Sequence, residues 1–96
     1  MGRVIMADLV VGRLEPLKVE RVQTGMRVVK SLMKVMKGLA EYNDLSLGGL
    51  MEGIILHTLE GKKAFGYENL KVSAQLKELY GCDLKAGHYH NMTEGK

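Results

Sequence analysis

A chain of 96 residues is long enough for one small domain and too short to bury a large core, so self-association would be a natural supplement. Its 46% hydrophobic and 26% charged residues exclude a disordered chain, and with no Trp and 5% aromatics the core falls to aliphatic residues and 7 Met. Lys and Arg outnumber Asp and Glu by 14 to 11, a net charge of +3 with a pI near 9.1, which permits a nucleic-acid partner without requiring one.

Cys82 is the single cysteine, which excludes an intramolecular disulfide and fits a cytoplasmic location. The opening MGRVIMADLVVGRLEP does not read as a signal peptide, because Asp8 and Arg13 interrupt the apolar run. Position six is Met6 rather than Ser or Thr, so the myristoylation pattern fails. No apolar run approaches the roughly 20 residues that span a bilayer. The expectation is a soluble protein without an anchor.

In chain order, residues 1–17 carry Val, Ile and Leu without a clean period and read as an extended piece or arm, with Pro16 at its boundary. Between residues 21 and 28 the pattern alternates: Val22, Thr24, Met26 and Val28 on one side, Gln23, Gly25 and Arg27 on the other. That period of two predicts a half-buried strand, yet no second run of similar clarity exists to pair with it. A helix is predicted over 29–42, where Val29, Leu32, Met33, Met36, Leu39 and Ala40 recur at three- and four-residue steps, with Lys30, Lys34 and Lys37 opposite. Asn43 and Asp44 suit a tight left-handed turn, and Ser46 suits an N-cap.

A second helix follows over 47–60, its buried stripe predicted as Leu47, Leu50, Met51, Ile54, Ile55, Thr58 and Leu59, with Gly61 as its stop. Gly49 and Gly53, one turn apart, are expected to admit a close helix neighbour. After a loop at 61–67, a third helix is predicted over 68–80 with Val72, Leu76, Leu79 and Tyr80 on one face and Gly81 ending it. The remainder reads as a loosely held tail. The expected organisation is an arm at 1–20, a core unit at 21–61 and a C-terminal helix and tail at 62–96.

Strand, helix, Ser-capped turn and helix in that order, carried by VQTGMRV and AEYNDLSLGGLMEGIILHTLE, resemble the ribbon-helix-helix superfamily of DNA-binding proteins over roughly 40 residues. The resemblance implies a mainly α fold class with one short β-strand, in which two chains form a homodimer through an intersubunit antiparallel ribbon. It implies base contacts in the major groove from the outward positions Gln23, Gly25 and Arg27, with Arg21 next outward; Gln suits adenine and Arg suits guanine. It also implies phosphate contacts from the amides at Ser46, Leu47 and Gly48, where the helix dipole favours an anion, with Lys30 as a further phosphate contact.

The expected function is a dimeric, sequence-specific DNA-binding transcriptional regulator such as a repressor, double-stranded DNA being its partner. An antitoxin is a special case in which residues 62–96 hold a protein partner. The alternative is a dimeric interaction or scaffold domain that no longer binds DNA, motivated by Gly25, which offers no reading side chain, and by the modest charge. Cys82, His88 and His90 match no metal-ligand spacing, His57 has no evident catalytic neighbour, and no glycine-rich phosphate loop occurs. Neither an enzyme, nor a cofactor, nor a metal is expected.

Overall fold

The computed structural model describes residues 16–95, which form three α-helices and a short 3-10 helix: α1 (Lys30–Tyr42), α2 (Leu47–Leu59), α3 (Tyr67–Leu79) and the 3-10 helix Ala86–Asn91. All three α-helices fall within one residue of their predicted starts and within one residue of their predicted ends. Periodicity and end signals agree best at the start of α2 and at the three C-terminal ends, which are closed by residues adjacent in sequence. Ser46 caps α2, its Oγ accepting from the Gly49 amide at 3.0 Å.

At the other end of each helix the chain turns left-handed, at Asp44 (φ 58°), Gly61 (φ 72°) and Gly81 (φ 66°). The next amide then reaches back to the last open turn: Leu45 to the Ala40 carbonyl, Lys62 to His57 and Cys82 to Lys77, each at 2.8 Å. The turn predicted at residues 43 and 44 and the stops predicted at Gly61 and Gly81 are therefore present.

Helix α1 is the hub, packing on both α2 and α3. The core is small: Val35, Leu39, Ala40, Leu50 and Cys82 are buried, with Leu32, Met36, Ile54, Phe65, Val72, Leu76 and Leu84 half-buried around them. Gly38 lets α3 come close, since a Cβ there would meet Leu76 Cδ2 at 2.9 Å. The expectation of a close neighbour at Gly49 and Gly53 is not met. A Cβ at Gly53 would touch nothing, and one at Gly49 would meet only its own cap residue and Leu45. The Asn43 amide donates to the Leu39 carbonyl (2.8 Å) and to Asn69 Oδ1 (2.9 Å), tying the α1–α2 turn to α3.

The expected fold class is corrected on one central point. Among the described residues there is no strand, so neither the β-strand at 21–28 nor the antiparallel ribbon of the expected ribbon-helix-helix homodimer is observed. Residues 16–29 are without regular structure and exposed throughout. Alternation of side chains favours an extended backbone, but a ladder requires a second strand, and the chain has no other run of that period. The described residues are helical, preceded by an exposed arm at residues 16–29.

Two further expectations change. Of the stripe predicted for α2 only Leu50 is buried, while Ile55, Thr58 and Leu59 are exposed. The segment after Gly81 is more than a tail, because Cys82 is buried and Lys77 Nζ donates to the Leu84 carbonyl at 2.6 Å. The arm predicted at residues 1–17 lies almost wholly outside the described residues.

Candidate nucleic-acid interface

The arm leads directly into the first turn of α1, and the two share one charge character. From residue 16 to residue 37 the sequence holds six cations (Lys18, Arg21, Arg27, Lys30, Lys34 and Lys37) against one acid, Glu20. From residue 38 to residue 60 it holds four acids (Glu41, Asp44, Glu52 and Glu60) and neither Lys nor Arg. Positive charge is thus concentrated on the arm and the N-terminal half of α1, a segregation that the net charge of +3 conceals.

The start of α1 is open to an anion. Its N-cap is Val29, which has no side chain able to accept from the first amides. A groove of about 380 Å³ opens there, lined by Val29, Lys30, Ser31, Lys34 and Tyr80, and the groove on the other side of Val29 and Lys30 holds Glu94. Lys34 Nζ lies 5.7 Å from the centre of the Tyr80 ring, a cation–π contact that steadies one of the two cations. Lys30 was expected as a phosphate contact. Ser31, Lys34 and Tyr80 were not assigned to the site, although a helix opening on Val-Lys-Ser with no capping residue is a readable sign of unsatisfied amides.

The expected seat at Ser46, Leu47 and Gly48 is less favourable. Ser46 already satisfies the Gly49 amide, leaving those of Leu47 and Gly48 at the helix start, and Gly48 stands in open space. The neighbouring groove, lined by Lys37, Ala40, Glu41, Asp44, Leu45 and Leu47, has two carboxylates to one ammonium. A phosphate would meet a weaker field here than at α1.

The expected base readers lie on the exposed arm. Gln23 and Gly25 are exposed, and a side chain at Gly25 would meet nothing within 4 Å. Both arginines are engaged. Arg21 makes a two-pronged pair with Glu52 on α2, Nε to Oε2 at 2.7 Å and Nη2 to Oε1 at 3.0 Å. The hydrogen bonds from Arg21 hold the Glu52 carboxyl below the usual carboxylate range, and the same contact raises the Arg21 guanidinium. Arg27 Nη2 pairs with Glu94 near the C-terminus. These partners lie 31 and 67 residues away in sequence, beyond the reach of any local pattern.

His57 Nδ1 lies 2.7 Å from the Gly53 carbonyl on its own helix, with the ring exposed. Among the described residues no group of three His, Cys, Asp or Glu side chains stands together as a metal site, and no helix is long and apolar enough to cross a membrane. Compared with family models, curated proteins and solved structures, the chain matches none.

Proposed function

We propose that the protein is a DNA-binding transcriptional regulator that holds duplex DNA with its exposed arm and the first turns of α1. The observation that carries this reading is the concentration of six cations against one acid over residues 16–37, adjoining the uncapped start of α1. Lys30, Lys34 and the free amides beside them suit phosphates, fixing the register of the protein on the backbone. Gln23 and Arg27, exposed on the arm, suit base edges, where a good bidentate contact discriminates by about 1–3 kcal/mol. The surface pairs with Glu52 and Glu94 are weak competitors, because exposed ion pairs exchange readily with a polyanion.

The test is a salt titration on mixed-sequence duplex. Binding should weaken steeply with salt as counterions are released. Replacing Lys30 and Lys34 together by Ala should flatten the logarithmic salt slope by about 2, roughly one per lost phosphate contact. Arg27→Ala should relax sequence preference. Absence of binding at about 50 mM salt would defeat the reading. Wild-type affinity and specificity in Arg27→Ala would remove the arm from it.

A second reading, an interaction domain without DNA binding, is favoured by one observation: both arm arginines are matched by carboxylates of the same chain. It requires the duplex titration to be flat.

A further inference from the structure

Helix α2 is apolar around most of its circumference. One side, with Leu50 and Ile54, meets the core. The opposite side carries Glu52, Ile55, Leu56 and Leu59, spaced three and four apart and therefore aligned as one stripe. Ile55, Leu56 and Leu59 are 49%, 64% and 77% exposed. Among the described residues α1 packs on the side of Leu50 and Ile54, and no helix covers the opposite apolar side.

The arm touches the same helix at Arg21, and apolar residues just before that point are exposed. Arg21 is fastened to Glu52, at the N-terminal end of the stripe, so the arm passes beside it. Leu17 and Val19, four and two residues before Arg21, are 89% and 62% exposed. A fully exposed aliphatic side chain offers about 100 Å² of apolar area, so these five exposed residues present on the order of 350 Å². Half-buried Met51, one turn before Ile55, adds to this. A standard interface takes about 800 Å² from each partner, of which roughly 450 Å² is nonpolar.

We propose that a second copy of this chain covers that surface, with the two α2 stripes packed against each other about a twofold axis close to Leu56. Three features select this occupant. The available apolar area is close to the requirement of a dimer. The only acid of the stripe, Glu52, is already matched by Arg21, so closure buries no unpaired charge. A stripe of Ile55, Leu56 and Leu59 is self-complementary when reversed on itself, as an isologous contact requires. This contact is made by helix faces and needs no backbone pairing between arms.

The experiment is sedimentation equilibrium on the full chain, without DNA, from about 1 to about 100 µM. The expected mass is twice that of the chain over most of this range. Leu56→Glu should raise the dissociation constant at least tenfold while leaving the helical circular dichroism intact, because Leu56 is 64% exposed and outside the core of the described residues. In the separate variant Leu56→Cys, a disulfide between copies should form on mild oxidation, since the residue lies near the axis and the native Cys82 is buried. A monomer throughout the range, or a Leu56→Glu dimer as tight as wild type, overturns the proposal. The duplex titration is a separate measurement: a dimer that ignores DNA defeats the regulator reading alone, and a monomer that binds DNA defeats this inference alone.

Discussion

Asp44 does at the end of α1 what Gly61 and Gly81 do at the ends of α2 and α3. It takes a left-handed backbone, φ 58°, so that the next amide can reach back to Ala40. A side chain at such a position is strained, less for Asp than for most residues, and a carboxylate beside the negative end of the helix dipole adds to the cost. Asp44→Gly relieves both effects, against a more flexible unfolded chain, and should stabilise the protein by about 0.5–1 kcal/mol. Gly61→Ala and Gly81→Ala should each destabilise it by about 1 kcal/mol. Urea midpoints at constant slope check the three variants, and a loss of stability in Asp44→Gly would show that the carboxylate has a compensating role. These helix ends were legible in the sequence because each is settled by one or two residues and their immediate neighbours. Arg27 and Lys30 were legible as exposed cations for the same reason. Their environment was not: Glu94 is brought to Arg27 only by the completed fold.

At the level of elements, legibility depended on what each element packs against. Helix α1 lies between α2 and α3, and Leu39 and Ala40 are buried as its spacing required. Helix α2 was legible as a helix but not in orientation, because an apolar residue stands on every side and periodicity cannot select the side that meets α1. Residues 21–28 were misread as a strand, since alternation reports a preference for extension and says nothing of a partner. What holds the arm against α2 is the Arg21–Glu52 pair, and this sets a pH dependence. The folded-state pKa of Glu52 is depressed by the hydrogen bonds from Arg21, so the attachment is complete above the ordinary carboxylate value of 4.5 and fades as pH falls through the lower folded value. Both side chains are largely exposed, 68% and 46%, so salt should weaken the attachment as well. The Arg21 Nε–H resonance should move toward its free position as the pH is lowered below the ordinary carboxylate range, and Glu52→Gln should produce the same spectrum at neutral pH. An unchanged arm spectrum in Glu52→Gln would assign the attachment to other contacts.

For the molecule as a whole, the deciding quantity is how little one chain buries. Among the described residues five form the buried core, while Leu17, Val22, Leu59, Tyr67 and Leu79 are each at least 70% exposed. At this chain length folding is a narrow balance between apolar burial and chain entropy, and so small a core leaves a single chain near the margin. Covering the α2 stripe with a second copy would shift that balance and couple folding to association. Unfolding would then separate two chains, and the melting temperature would depend on concentration. With an unfolding enthalpy of about 0.7 kcal/mol per residue from both chains, a tenfold rise in concentration should raise the melting temperature by about 4 °C. Leu56→Glu should melt lower and, at concentrations where it is monomeric, at a temperature independent of concentration, because its unfolding then involves one chain. Scanning calorimetry over two decades of concentration distinguishes these outcomes. A wild-type melting temperature that does not move would mean that the five-residue core suffices alone, and that the apolar side of α2 faces water in the folded protein.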